Sequence, residues 1–185
     1  MKFEVTFISV QTDQTARGSL RIKESVFWDE AEQKLEGISR AKGCYIFGLC
    51  RSGGAPKPWY IGKATKSFKS EVFTYRNKGI YRDCIDDTKR GVPVLILLTA
   101  KTEKGSIAQG NNALKETIDW VETHLIQAAL KRNSNLKNLQ KTNYLKKVVI
   151  PGLLNSGRGN DGEDGNALRK MFKGIKKQRQ KPIGF

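Results

Sequence analysis

The sequence predicts an α/β fold in which a small central antiparallel sheet is flanked by helices. Residues 43–61 carry the pattern of a β-hairpin, because two apolar runs enclose the turn-forming segment RSGGAP at 51–56. Val92–Ala100 is a continuous apolar run, which is typical of a central strand covered on both faces. Segments with apolar residues at helical spacing lie on either side of this run and supply the helices.

The region before the hairpin is predicted to hold an edge strand and a helix. Lys2–Val10 alternates loosely between apolar and polar residues, and Val26–Arg40 places apolar residues at helical spacing. We assign residues 1–42 to an N-terminal strand–helix extension packed on the main domain.

Two further helices are predicted after the hairpin. The first covers Lys66–Asn77 and ends at Lys78-Gly79. The second covers Ala113–Arg132, where an asparagine at 111 or 112 can cap its first turn. With a short strand at Val148–Ile150, these elements complete a main domain over residues 43–150.

The last part of the chain, residues 151–185, is predicted to form a flexible loop and a basic helix. The loop is rich in glycine and aspartate, and Asn166–Gln180 combines lysines and arginines with apolar residues at helical spacing. We therefore treat this part as a basic C-terminal tail outside the main domain.

The charge of the chain favours a polyanionic partner. Its 185 residues include 34 lysines and arginines against 18 acids, for a net charge of +16. Such an excess most often serves nucleic acid, although a basic surface on a soluble protein is the simpler alternative, and charge does not separate DNA from RNA. The candidate nucleic-acid-binding residues are Lys131, Arg132, Lys137, Arg169, Lys170 and Lys173.

Cysteine usage and the N-terminus predict a cytoplasmic protein. The 3 cysteines are odd in number and lack the spacing of a disulfide framework or a zinc site. The first ten residues, MKFEVTFISV, lack the apolar centre of a signal peptide, and no apolar run approaches membrane-spanning length. Oligomeric state stays open.

Several short motifs occur in an informative order. They are Gly43-Cys44-Tyr45 at the start of the hairpin, Tyr60-Ile61-Gly62 at its end, Lys63 directly after, Glu122 shortly before Leu125-Ile126 on the second predicted helix, and Asn138 beyond that helix. In this order they resemble the GIY-YIG endonuclease superfamily over roughly residues 43–138. Each tripeptide alone is weak, since tyrosines commonly pack across a hairpin.

The resemblance implies a metal-dependent hydrolase of DNA phosphodiester bonds. Tyr45, Tyr60, Lys63, Glu122 and Asn138 would form its catalytic site. One tyrosine would accept a proton from water, and the sequence does not settle which. Glu122 would hold one weakly bound Mg²⁺ or Mn²⁺ ion, whose shell is completed by waters and substrate phosphate.

Two expectations follow from the chemistry of these residue types. A lysine and a metal-bound water near a tyrosine favour its phenolate, so a tyrosine near Lys63 is expected to be able to take a proton. Asp119 lies one helical turn before Glu122 and is a candidate helper, which we do not include in the site.

One departure from the family pattern concerns the arginine on the helix after the second tripeptide. Ser70 occupies its place, and the nearest cations are Lys69 and Arg76. Without a cation on the scissile phosphate, the developing negative charge is not stabilised. The sequence therefore predicts either an endonuclease that uses Lys69 or Arg76, or a non-catalytic nucleic-acid-binding protein on this divergent fold. An assembly factor whose basic tail binds acidic protein is a third alternative.

Overall fold

The computed structural model of the chain describes residues 1–14, 20–50, 54–88, 91–110, 112–142, 150–151 and 162–172. Its strands are Lys2–Ser9 (β1), Thr12–Gln14 (β2), Leu20–Ile22 (β3), Gly43–Cys50 (β4), Lys57–Ala64 (β5) and Val92–Lys101 (β6). Its helices are Glu24–Lys34 (α1), Phe68–Glu71 (α2), Tyr75–Thr88 (α3), Asn112–Arg132 (α4) and Gly162–Phe172 (α5).

The predicted α/β fold with a small antiparallel sheet is confirmed. Four strands form the sheet in the order β1–β6–β4–β5, and every pair in it is antiparallel. The apolar strand β6 lies between β1 and β4, and β1 is an edge strand, as the sequence predicted. The motif-bearing strands differ in position, because β4 is central whereas β5 forms the other edge.

The two faces of the sheet bury different side chains. Phe47 of β4 stacks on Tyr81 of α3 with ring centroids 4.2 Å apart, in a cluster that also includes Phe27 and Phe73. The opposite face carries Cys44, which packs against α4. Side chains of this size contribute about 1.5–3 kcal/mol each when fully buried, so these clusters fix α3 and α4 on opposite sides of the hairpin.

Helix α4 buries the stripe expected from its sequence. Leu114 and Ile118 are fully buried, while Val121 and Leu125 pack against the same core and are partly exposed. None of the described helices, α4 included, has the combination of length and apolar character that a bilayer crossing requires.

The predicted helix over Val26–Arg40 is wrong in its second half. Helix α1 spans Glu24–Lys34, and a separate 3-10 turn covers Ile38–Arg40. Gly37 adopts a φ of 78° between them, and the Glu32 carboxylate accepts hydrogen bonds from the backbone of Gly37 and Ser39. This side chain satisfies backbone donors of the turn, so the chain leaves the helix early.

The predicted helix over Lys66–Asn77 is also wrong, because the chain forms two helices here. Helix α2 ends at Glu71, and α3 begins at Tyr75 and continues through the predicted stop at Gly79. Thr74 caps α3 by accepting a hydrogen bond from the Asn77 backbone. The Asn77 side chain donates to the carbonyl of Glu71, which α2 leaves without a helical partner.

The chain divides into two compact units, Met1–Leu139 and Gln140–Phe185. The first contains the sheet and α1–α4. In this sheet the edge strand β1 pairs with β6, which in turn pairs with β4 of the hairpin. In the second, α5 covers Gly162–Phe172. The predicted basic helix at Asn166–Gln180 is described through Phe172, and its start is wrong, because the helix begins at Gly162 within the predicted loop. The predicted strand at Val148–Ile150 lies outside them except for Ile150. The division at 42 and 150 stays a prediction.

Candidate active site

The glycines of both tripeptides are required by close approach of other groups. Gly43 has a φ of 156°, and a Cβ there would lie 1.9 Å from the carbonyl oxygen of Leu98. Gly62 is paired with Tyr45 across the hairpin, and a Cβ on it would lie 2.2 Å from Cζ of the Tyr45 ring. The Tyr45 ring therefore crosses the edge strand β5 directly over Gly62.

The Tyr45 hydroxyl is held at the end of this crossing. It accepts a hydrogen bond of 2.8 Å from Nδ2 of Asn77 and lies 3.4 Å from the carbonyl oxygen of Glu71. Asn77 is buried, and Tyr45 is only 3% exposed. The hydroxyl is thus positioned by the junction between α2 and α3 and has little access to solvent.

Tyr60 lies beside Tyr45 and is more accessible. The ring centroids are 6.3 Å apart with an interplanar angle of 49°, and Tyr60 is half-buried. Burial is the main cause that raises the pKa of both hydroxyls, and the carboxylate of Glu122 acts in the same direction. For Tyr60, the guanidinium of Arg76 opposes this rise. Of the two hydroxyls, that of Tyr60 is the better placed to reach solvent and lose a proton.

Lys63 joins two acids of α4 instead of a tyrosine hydroxyl. Its Nζ hydrogen-bonds to Oδ1 of Asp119 and lies 3.8 Å from Oε2 of Glu122. The hydrogen bond to Asp119 is the largest cause that raises the pKa of Lys63. The expectation that Lys63 and a metal-bound water favour the phenolate stays a prediction. In this arrangement the two acids engage the Lys63 charge, and burial is the largest cause that raises the pKa of both tyrosines.

The structure brings Tyr45, Tyr60, Lys63 and Glu122 together at the edge strand β5. The Glu122 side chain is 12% exposed, and its charge acts on both tyrosine hydroxyls and on Lys63. Hairpin register places the first three, and α4 places the fourth. A polar group therefore comes from each side of the sheet edge.

Asn138 docks on the same strand through its amide group. Its Oδ1 accepts from the backbone nitrogen of Ile61 at 3.0 Å, and its Nδ2 donates to the Ile61 carbonyl at 2.7 Å. The backbone nitrogen of Lys137 also donates to the Trp59 carbonyl at 2.8 Å. These bonds cover the open edge of β5, so Asn138 fixes the strand that carries Tyr60 and Lys63.

The two cations considered as substitutes for the missing arginine differ in environment. Arg76 is exposed on α3, and its charge acts on the Tyr60 hydroxyl. Lys69 is exposed on α2, where no hydrogen bond or ion pair ties it to the other site residues among those described. Ser70, at the place of the usual arginine, bonds to Ser67 at the start of α2. Of these two cations, Arg76 is the one whose charge lowers the pKa of a site tyrosine, Tyr60.

The proposed nucleic-acid-binding residues are placed only in part. Lys131 and Arg132 are exposed at the end of α4, and Lys170 is exposed on α5. Lys137 forms an ion pair of 2.6 Å with Asp87, so its charge is partly neutralised. Lys173 and the side chain of Arg169 lie outside the described residues.

Sequence reasoning missed Asn77 and set Asp119 aside. Asn77 was treated as the end of a helix, and only the break between α2 and α3 directs its amide at Tyr45. Asp119 had a usable signal, since it lies one turn before Glu122 on the same helix. Asp119 acts by bonding to Lys63. This contact could not be predicted without the register of the hairpin, which sets the position of Lys63 on β5.

A divalent ion fits this site only through Glu122 and its surroundings. Among the described residues, no group of three or more acids, cysteines or histidines is arranged as a metal cluster. A single carboxylate with waters and substrate phosphate is nevertheless a usual Mg²⁺ shell. The Lys63 ammonium lies beside the Glu122 carboxylate and would compete with the ion, which is consistent with weak binding in the absence of substrate.

Comparisons with protein-family models, curated proteins and solved structures found no match to this chain. Its function is therefore inferred from its residues and their geometry.

Proposed function

We propose that the chain is a metal-dependent endonuclease of GIY-YIG type that hydrolyses DNA phosphodiester bonds. The observation that carries the proposal is the convergence of Tyr45, Tyr60, Lys63 and Glu122 at the edge of β5, where the charge of Arg76 also acts on Tyr60. These groups come from distant parts of the sequence. Core packing alone does not require these side chains to meet at one edge, because Lys63 and Glu122 are charged and the Tyr60 hydroxyl is accessible.

The tyrosines have different proposed roles. Tyr60 accepts the proton of the attacking water, because it is the more accessible hydroxyl and Arg76 favours its phenolate. Tyr45 positions Tyr60, because its own hydroxyl is buried and held by Asn77. Arg76 contacts the scissile phosphate, where its charge stabilises the activated state more than the ground state.

Glu122 is the proposed ligand of one Mg²⁺ or Mn²⁺ ion. When bound, such an ion acts as a Lewis acid on the phosphate and lowers the pKa of its water. Lys63 keeps its charge next to Glu122 and Asp119, and it can contact a substrate phosphate when these acids engage an ion. Lys131 and Arg132 are proposed to contact phosphates farther along the DNA, with RNA as the second choice of substrate.

The test is cleavage of supercoiled, linear, branched and single-stranded DNA with Mg²⁺ or Mn²⁺. Wild type should cut at least one form, and a chelator should stop it. Glu122→Ala should lower the rate by about 10³-fold or more, because metal assistance is worth several kcal/mol. Glu116→Ala is the matched control, since this acid is exposed on the same helix and should leave the rate unchanged.

The second candidate is a non-catalytic nucleic-acid-binding protein on the same fold. Ser70 in place of the usual arginine and the lysine beside Glu122 favour it. A wild type that binds DNA but cuts no form with either metal would establish this alternative. Cleavage that survives Glu122→Ala would instead contradict the assigned metal site.

A further inference from the structure

A groove of about 710 Å³ lies in the unit Met1–Leu139, between α3 and the segment that joins β3 to α1, and neither Tyr45 nor Tyr60 lines it. Arg21 and Lys23 line it from β3 and the start of α1, and Tyr75, Lys78 and Arg82 line it from α3. Its volume is in the range of ligand sites, which are usually a few hundred to about 1,000 Å³. The site residues proposed above do not line this groove.

The groove carries positive charge that its own acids do not neutralise. Its two carboxylates are already paired: Asp13 lies 3.0 Å from the Lys23 ammonium, and Glu24 lies 3.0 Å from that of Lys78. Arg21 and Arg82 form no ion pair within the described part of the chain. Both guanidinium groups are therefore available for an anionic ligand.

Arg82 is also oriented. Its Nε donates to the backbone carbonyl of Lys78 at 3.2 Å, which leaves the terminal nitrogens for other acceptors. A planar guanidinium with fixed direction binds phosphate oxygens well, because its nitrogens form a fork. A phosphate or carboxylate group is thus the kind of anion that this lining suits, and a nucleic acid supplies phosphates.

An exposed aromatic ring stands among these cations. Tyr75 is 87% exposed, whereas Tyr45 and Tyr81 of the same unit are buried. On α3, Tyr75, Lys78 and Arg82 are three and four residues apart in turn, so they share one face of the helix. An aromatic ring beside phosphate-binding cations is the arrangement that proteins use to bind single-stranded nucleic acid.

The groove is linked to the candidate active site through the start of α3. Arg76, whose charge acts on Tyr60, directly follows Tyr75, and Asn77, which holds Tyr45, comes next. A strand whose phosphate lies at Arg76 can place a neighbouring nucleotide at Tyr75.

We propose that this groove binds a single-stranded stretch of the substrate beside the scissile phosphate. One base stacks on Tyr75, and flanking phosphates contact Arg21 and Arg82. The inference rests on the proposed function, because it takes nucleic acid as the substrate. The inference adds a substrate preference to that function: nucleic acids with an unpaired segment at this position should bind more tightly than continuous duplex.

The first experiment measures binding of labelled single-stranded DNA to wild type without divalent metal, where no cleavage occurs. Tyr75→Ala should weaken binding by about 5- to 150-fold, the range that corresponds to stacking of one base on an aromatic ring. Tyr75→Phe keeps the ring and should stay close to wild type. Trp120→Ala is the matched control, since Trp120 is a 66% exposed aromatic residue on α4 and does not line the groove.

A scan with abasic sites then tests the stacking itself. With wild type, one position of the strand should lose affinity when its base is removed, and that loss should disappear in Tyr75→Ala. A strand without such a position, or equal losses in both proteins, would overturn the stacking role. Equal affinity of wild type and Tyr75→Ala would also overturn it.

Salt dependence tests the arginines. Arg21→Gln and Arg82→Gln should each reduce the slope of log affinity against log salt by about 0.7, the value for one phosphate contact on a single strand. Lys104→Gln removes an exposed charge outside the groove and should leave the slope unchanged. An unchanged slope in both arginine variants would contradict their contacts with phosphate.

Failures of this inference and of the proposed function can be told apart. If wild type cuts DNA and every groove variant binds and cuts normally, the groove inference fails and the endonuclease stands. If groove variants lose affinity while wild type cuts nothing, the endonuclease fails and the groove stands. A wild type that binds no nucleic acid would overturn both.

Discussion

The hairpin and the α2–α3 segment contribute to one candidate site in different ways. Strands β4 and β5 place Tyr45, Tyr60 and Lys63 by register, so their spacing follows from backbone pairing. The α2–α3 segment places Asn77 and Arg76 by the point at which one helix ends and the next begins. The hairpin thus supplies groups that are fixed by strand pairing, and the helical segment supplies a buried amide and an exposed cation.

This difference between hairpin and helical segment indicates how such a site can keep its geometry while its cation comes from another position of the sequence. Register fixes each side chain of a strand relative to its partner, and a slip of one residue would turn it to the other face. An exposed arginine on a helix has no comparable constraint and can reach the same point from another turn. The proposed role of Arg76, where the resemblance predicts an arginine at position 70, fits this view.

The largest expected effect tests the hairpin tyrosines. If the chain is an endonuclease, Tyr60→Phe should lower the cleavage rate by about 10²- to 10⁴-fold with little loss of binding, because it removes the proposed proton acceptor and keeps the ring. Tyr45→Phe should cost less, since Tyr45 positions Tyr60. Rates from single-turnover cleavage provide the measurement.

The pH profile sharpens the same comparison. Burial raises the pKa of Tyr60 above its ordinary value near 10, so the phenolate fraction grows about tenfold per pH unit below that pKa. The rate of wild type should therefore still rise at pH 9, and Tyr60→Phe should lose this dependence. A larger effect of Tyr45→Phe would reverse the assigned roles.

The next effect tests the helical segment. Arg76→Ala should lower the cleavage rate by about 10²- to 10³-fold, the usual cost of removing one group that stabilises transition-state charge. Lys69→Ala should leave the rate within about twofold, because Lys69 is exposed and outside the contacts of the site. Ground-state binding should change little in either variant. The opposite ranking would assign the phosphate contact to Lys69.

Much of the fold follows from the sequence because apolar pattern and burial agree. The run at Val92–Ala100 is a central strand, and the stripe beginning at Leu114 faces the core, as predicted. The meeting of Tyr45, Tyr60, Lys63 and Glu122 was expected from the order of the motifs. Pairing across the hairpin and one long helix are enough to produce it.

The parts that could not be predicted depend on single side chains that end helices or cover edges. Asn77 bonds to the last carbonyls of α2 and holds Tyr45 only because α3 begins at Tyr75. Asn138 was expected in the site, and the structure uses its amide to pair with the backbone of Ile61. Propensity and periodicity do not predict such bonds between a side chain and the backbone, because each bond involves one residue in a particular geometry.

The smallest expected effect contrasts a glycine of each region. Gly62→Ala should lower the free energy of unfolding by about 1–3 kcal/mol, because its Cβ would meet the Tyr45 ring at 2.2 Å and buried groups must shift. Gly79→Ala on α3 should raise it by about 0.5–1 kcal/mol, since a Cβ there meets nothing within 4 Å and glycine weakens a helix interior. Urea unfolding of both variants supplies the values. If Gly62→Ala were as stable as wild type and kept full cleavage, the Tyr45 ring would not need to cross the strand at that point, and the hairpin would be no more constrained than the helix.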